Sequence, residues 1–166
     1  MLLFRILLVV FVAASAGCGF RPLYGEREGG RSIDHMAAVR IGVIEDRAGQ
    51  LLRNALLVQL QPGGQLVSPL YSLDVKLTES VQQLALQKDE TTSRSSLELR
   101  AVYTLRRFEN GAALYEGISR AATGFNVVSS HFATLSAEND ARSRSLRVLS
   151  EDIKIQLGTY FSRDKP

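Results

Sequence analysis

Apolar and polar residues alternate along three stretches of the chain, which predicts three antiparallel β-strands. The first stretch opens at Pro69 and runs to about Gln87. The apolar side chains at its alternate positions are Tyr71, Leu73, Val75, Leu77 and Val81. The phase then shifts to Leu84, so we expect a bulge near Gln82-Gln83.

The second stretch, from Thr91 to Phe108, has its apolar positions at Leu97, Leu99, Ala101, Tyr103 and Leu105. A short turn at Glu109-Asn110-Gly111 then leads into a less regular third strand from Leu114 to Phe125. Each of the first two stretches would span about 50 Å if unbroken, which is long for a small domain. The hairpin tip between Gln82 and Ser96 is therefore expected to project or bend.

Three further elements flank this meander. Residues Val39 to Ile44 alternate and are rich in β-branched side chains, which predicts a short strand. A helix from Arg47 to Leu60 is predicted by a broad apolar stripe, with Asp46 as its N-cap and Pro62-Gly63-Gly64 as its stop. A last helix begins near Ser136, just after His131, which we interpret as a capping or packing residue. It carries an apolar line at Leu146, Leu149, Ile153, Leu157 and Tyr160, with Arg142 at its fraying end.

The order strand, helix, three-strand meander, helix predicts an α+β fold. We expect a single layer of about four strands, with two helices packed on one face and the opposite face polar. Residues 39–166 would form one domain.

The N-terminal residues are typical of an export signal with a lipid attachment site. Arg5 precedes an apolar run from Ile6 to Ala14, which is shorter than the roughly 20 residues of a membrane-spanning helix. Cys18 is the single cysteine, and it follows the small residues Ser15-Ala16-Gly17. We therefore expect residues 1–17 to be a signal peptide, Cys18 to carry lipid, and residues 18–38 to form a tether whose lead-in to the domain, from Glu26 to Ala38, is weakly ordered. Gly19 after the cysteine favours the outer membrane.

Composition and motifs argue against several classes of function. Lys and Arg outnumber Asp and Glu by only 20 to 17, and there is no Gly-rich phosphate loop, so a nucleic-acid partner is not expected. The chain has two histidines, and neither His35 nor His131 has acidic or cysteine neighbours at metal-ligand spacing. No serine lies in a Gly-x-Ser-x-Gly motif. We expect no metal, no cofactor, no catalytic residue and no enzymatic activity.

A basic set on the predicted meander is the remaining candidate for binding chemistry. Its members are Lys88, Arg94, Arg100, Arg106, Arg107 and Arg120. Arginine suits bidentate binding of phosphate. Alternatively, the neighbouring Glu98, Glu109 and Glu116 could neutralise these charges and leave a plain solvated face.

Several segments resemble the LptE family of lipopolysaccharide-assembly lipoproteins, in its alphaproteobacterial form. The string from Cys18 to Gly25, Cys-Gly-Phe-Arg-Pro-Leu-Tyr-Gly, is similar to the family's mature start. The helix opening from Asp46 to Asn54 is also similar, as are the late runs from Phe132 to Arg142 and from Ile153 to Phe161. The sequence departs from the lipoprotein cleavage pattern at Ser15, where leucine is usual, and from the family's helix motif at Ala48.

The resemblance implies a non-enzymatic role as a plug that sits inside the large β-barrel LptD, helps it fold and assists lipopolysaccharide insertion. It makes the N-terminal string a candidate contact with the barrel, at Phe20, Arg21, Pro22, Leu23 and Tyr24. It also makes the basic set a candidate for lipopolysaccharide binding. Two alternatives stay open from the residues alone: a lipoprotein tether or adaptor of another envelope complex, and a lipid-anchored serine hydrolase.

Overall fold

The computed structural model describes residues 35–64, 68–86 and 92–163, with the main chain alone at 84–86 and 92. The elements are β1 Val39–Ile41, α1 Asp46–Leu60, β2 Tyr71–Leu86, β3 Thr92–Arg107, β4 Ala113–Val128 and α2 His131–Arg163. The four strands form one sheet in the order β1-β2-β3-β4, with β1 parallel to β2 and the other pairs antiparallel. The predicted α+β fold is confirmed.

The three long strands follow the predicted alternation. Each has 16 residues, and the β2–β3 register shifts between Gln83 and Ala85, next to the predicted bulge. From Ser80 to Gln83 the side chains of β2 are exposed on both faces, so this part of the hairpin extends beyond the contact of Glu79 with α2. The opposite arm stays covered, because Ser95 and Leu97 of β3 are buried. The turn at residues 108–112 is closed by a hydrogen bond of 2.9 Å from the Gly111 amide to the Arg107 carbonyl.

The core lies between the sheet and the two helices. β3 contributes Leu97, Leu99, Ala101, Tyr103 and Leu105; α2 contributes Leu146, Leu149, Ile153 and Leu157; and α1 contributes Leu52, Leu56 and Leu60. Burying each large apolar side chain stabilises the fold by about 1.5–3 kcal/mol relative to leaving it exposed. α2 lies over β3 and β4, and α1 packs beside α2 next to β1.

The middle of the β4 face that meets α2 consists of small residues, which let the helix approach closely. Gly117, Ser119 and Ala121 lie on this side, opposite Tyr103, Ala101 and Leu99 of β3. The Tyr103 ring fills the space beside Gly117, and its hydroxyl donates a hydrogen bond of 2.7 Å to Oε1 of Gln156 on α2. Burial raises the pKa of the Tyr103 hydroxyl, with a further contribution from Tyr115, so it remains a neutral donor.

Predictions at the start of the domain were wrong in three details. β1 ends at Ile41 and not at Ile44, because Ile44 turns inward to pack against Gly49 of α1. The N-cap of α1 is Glu45 and not Asp46, which adopts a left-handed φ of 65°; aspartate tolerates that region better than most residues. Residues 35–37 form a helical turn in place of a weakly ordered lead-in, and Met36 is buried in the core.

The last strand and the last helix are both longer than predicted. β4 covers Ala113–Val128, and α2 begins at His131, so this histidine is the exposed first residue of the helix and does not precede it. Ser130 and Thr134 explain the early start: the Ser130 hydroxyl accepts a hydrogen bond of 3.4 Å from the Ala133 amide at the N-cap. The Thr134 hydroxyl donates to the Val128 carbonyl and accepts from the Val128 amide at 3.1 and 3.0 Å. This first part of the helix exposes Phe132 and Leu135, so it lacks the apolar line used for the prediction. At the other end Phe161, and not Tyr160, completes the buried line.

Gly117→Ala should lower the free energy of unfolding by about 1–3 kcal/mol, because the core around it is already full. An added Cβ would lie 2.4 Å from Cζ and from the hydroxyl of Tyr103, which is buried and cannot move aside freely. Urea unfolding would measure the change. Gly124→Ala on the same strand is the control, since its Cβ would meet only the exposed Arg94 side chain at 3.3 Å. Equal losses in the two variants would contradict this account of the packing.

Candidate functional site

Both helices lie on one face of the sheet, and no helix of the described residues covers the other. We call this other side the open face; it consists of Arg40 and the even-numbered residues of 72–82, 94–106 and 116–126. It is largely polar, as the alternation predicted, and its large apolar side chains are Val102 and Ile118. These two lie directly opposite each other and are 41% and 47% exposed.

Four of the six predicted basic residues lie together on the open face: Arg94, Arg100, Arg106 and Arg120. Arg107 lies at the end of β3, opposite Tyr71, and points away from this group. The open face therefore collects most of the basic set on one surface.

Arg106 is neutralised within the sheet. Its Nε is 3.2 Å from Oδ2 of Asp74 on β2, and its Nη1 donates to the Gly111 carbonyl at 3.2 Å. The acid that neutralises it is thus Asp74, and not Glu98, Glu109 or Glu116. We regard Arg106 as a residue that ties the β3–β4 turn to β2.

Arg94, Arg100 and Arg120 are exposed, and among the described residues no carboxylate forms an ion pair with any of them. Arg100 lies directly opposite Arg120 in the β3–β4 register. Residues opposed in this way have Cβ atoms about 4.5–5.5 Å apart, where like charges repel and destabilise the strand pair. The arrangement suits an anion held between two guanidinium groups.

The open face combines these charges with apolar surface. The row Thr78-Arg100-Arg120 is followed along the strands by the row Lys76-Val102-Ile118. A ligand that carries both anionic and hydrocarbon parts could contact both rows at once. Val102 and Ile118 were not singled out from the sequence, although the alternation places Val102 among the polar positions of β3.

Arg142, predicted to lie at the fraying end of α2, instead fastens that helix to the sheet. Its guanidinium binds both carboxylate oxygens of Glu79 on β2, at 2.7 and 2.9 Å, and Glu138 at 2.7 Å. The hydrogen bonds to Glu79 raise the pKa of Arg142. A bidentate, partly shielded pair of this kind is stronger than an ordinary surface ion pair.

Other candidate chemistry has a structural role or lies elsewhere. His35 stacks on Phe161 at 5.6 Å between ring centroids, and its Nδ1 is 3.1 Å from the Tyr71 hydroxyl. Within residues 35–64, 68–86 and 92–163, no group of three or more His, Cys, Asp or Glu is placed to hold a metal ion. No helix in the same ranges is long and apolar enough to cross a membrane. The remaining predicted site residues lie outside the described residues: Cys18, Phe20, Arg21, Pro22, Leu23, Tyr24 and Lys88.

Comparison with solved structures shows that the fold is shared with proteins described as lipoproteins. A "putative lipoprotein" from Caulobacter crescentus CB15 matches 81% of this chain and 98% of its own, with a TM-score of 0.66 and 22% identity. A minor lipoprotein from Acinetobacter baumannii matches 73% of this chain and 91% of its own, with a TM-score of 0.58 and 18% identity. The rare lipoprotein B of Shewanella oneidensis is a looser match, with a TM-score of 0.36 and 11% identity, which is too low to establish a common fold. Comparisons with protein-family models and with curated proteins give no match.

Arg100→Gln should raise the free energy of unfolding at low salt by about 0.2–1 kcal/mol, because it removes the repulsion with Arg120. The gain should shrink at high salt, where exposed charges are screened. Chemical unfolding at two salt concentrations would measure both effects. Arg106→Gln is the matched control, and it should give no gain because it loses the ion pair with Asp74. A loss of stability for Arg100→Gln at both salt concentrations would contradict this description of the open face.

Proposed function

We propose that the protein is an outer-membrane lipoprotein, anchored through lipid on Cys18, that plugs an LptD-type β-barrel and helps to assemble it. In this proposal it also assists the insertion of lipopolysaccharide into the outer leaflet, without enzymatic activity. The observation that carries the proposal is the open face, a polar sheet surface with three arginines that lack a carboxylate partner among the described residues.

The lipid anchor is supported by the sequence before Cys18 and by the fold. The apolar run and the small residues Ser15-Ala16-Gly17 precede the single cysteine, as in an exported lipoprotein. Two solved structures that share the fold, from Caulobacter crescentus and Acinetobacter baumannii, are described as lipoproteins. A lipid group with more than one acyl chain would hold the protein stably at a membrane.

The role as a plug is supported by the distribution of polar surface. The interior of a wide membrane β-barrel is polar. The open face offers such an interior a broad polar wall with no helix of the described residues in front of it, and the exposed end of β2 from Ser80 to Gln83 extends this wall.

Lipopolysaccharide is proposed as the ligand because it combines phosphate groups with acyl chains. Arg100 and Arg120 form a paired cationic site, Arg94 lies on the same face, and Val102 and Ile118 supply adjacent apolar surface. Arginine side chains bind phosphate through two parallel hydrogen bonds.

Purification of the full-length lipoprotein from outer membranes in mild detergent would test the proposal. We expect a large, heat-modifiable β-barrel to accompany it in equal amount, together with lipopolysaccharide. A chain with Cys18→Ser, which cannot be acylated at that position, should recover less of the barrel and serves as the control for membrane anchoring. A lipoprotein that is extracted without a barrel would contradict the role as a plug and favour a tether or adaptor.

A further inference from the structure

The outer edge of β4 is long, and beyond a bulge at Leu114 it has little of the usual protection of an edge strand. β4 is the last strand of the sheet, and among the described residues no strand pairs with its outer side. It contains no proline and no lysine, and its charges are Glu116 and Arg120. Proline and lysine commonly protect edge strands, because the unpaired backbone groups of an edge can otherwise pair with another chain. The exposed part of β2 at the opposite edge, by contrast, carries Lys76 and Glu79.

The charges on this edge are self-complementary about Ile118. When two β4 strands pair antiparallel with Ile118 opposite Ile118, Glu116 of each copy comes directly opposite Arg120 of the other. All of these side chains lie on the open face, so both ion pairs form on the same side of the joined sheet. The regular pairing spans residues 115–121 of each copy, up to the bulge at Leu114, and gives roughly seven inter-strand hydrogen bonds.

Neighbouring registers lose this complementarity. A register centred on Arg120 sets two arginines opposite each other. A register centred on Glu116 sets two glutamates opposite each other, and one centred on Leu114 leaves Arg120 without an opposing acid. Because opposite charges stabilise a cross-strand pair and like charges destabilise it, the register about Ile118 is favoured.

We propose that two copies of this chain pair through the β4 edges in this register, which forms one continuous eight-stranded sheet. Glu116 of the second copy then offsets the repulsion between Arg100 and Arg120. Because the interface is isologous, the Glu116–Arg120 ion pair forms twice in each dimer.

On the helix side of the edge, Gly117, Ser119 and Ala121 are small, and Tyr115 is already packed against Tyr103 and Tyr160. Gln156 of α2 donates to the Ile118 carbonyl at 3.5 Å, so its side chain has to turn away when a second strand pairs at this point. α2 and the edge of β4 border a groove of about 560 Å³, lined by Leu114, Tyr115, Ile155 and Thr159 among others. Ile155, which lines this groove, is 61% exposed.

This inference goes beyond the proposed function and does not depend on it. A barrel that encloses the domain would compete with the second copy for the same edge, so the dimer is the form of the free protein. The experiments below use the purified chain without a barrel, and their failure would leave the role as a plug untouched.

Cross-linking at the symmetry axis gives the most direct test. In the full chain carrying Cys18→Ser, Ile118→Cys should form an intermolecular disulfide under mild oxidation, because the two residues face each other within the Cα distance that a disulfide allows. Val102→Cys is the matched control: it lies on the same face with similar exposure, but one strand further in. Its two copies would be about 14 Å apart, at three strand spacings, and should not cross-link.

A charge swap tests the register independently, with the dimer dissociation constant measured by sedimentation velocity. Arg120→Glu and Glu116→Arg should each raise it by roughly tenfold or more, since each variant sets like charges opposite each other. The double variant should restore it to within about threefold of the original value. A monomer at all concentrations, equal cross-linking at Ile118 and Val102, or a double variant as weak as the single ones would overturn the proposal.

Discussion

The close packing of α2 against the small residues of β4 is the contact on which the rest of the structure depends. Gly117 and Ala121 allow the helix to approach, and Tyr103 fills the space beside Gly117 while its hydroxyl binds Gln156. The packing has a cost, because the Ser119 hydroxyl is buried without a hydrogen-bond partner among the described residues. Two further residues of α2 fix the helix to the sheet. Thr134 forms a hydrogen bond with Val128 at the end of β4, and Arg142 binds Glu79 on β2. Since this packing places the apolar surface on one side, the opposite side of the sheet stays polar and is not covered by any helix of the described residues.

The sequence pattern was sufficient for the fold because period-two alternation marks a sheet with one buried face. It predicted the three long strands, the β2 irregularity near Gln83 and the turn before β4, and it gave the order of the elements. It failed where an element is held by a few local contacts and not by an apolar line. The first turns of α2 are fixed by Ser130 and Thr134, and β1 ends early because Ile44 packs against Gly49. None of these contacts leaves a periodic signal.

The candidate site was predicted only in part, for a similar reason. Alternation was enough to place Arg94, Arg100 and Arg120 on the polar side of the meander, but not to show which acids they meet. Which acid each arginine meets depends on the register of the strands. The register brings Asp74 to Arg106 and sets Arg100 opposite Arg120. Register also pairs Val102 with Ile118, which makes an apolar patch from two residues that are unremarkable in sequence. The same geometry gives the β4 edge its self-complementary charges.

The central claim is that the open face, and not the helical side, is the binding surface for an anionic lipid. The most direct test is the affinity of the purified protein for lipopolysaccharide when charge is reversed on one side or the other. Arg94→Glu with Arg100→Glu should weaken binding by about tenfold or more, since it removes two phosphate-binding groups and adds repulsion. Arg47→Glu with Arg147→Glu makes the same change of net charge at exposed positions on α1 and α2, and it should leave affinity nearly unchanged. Equal weakening by both pairs, or none by the first, would contradict the claim.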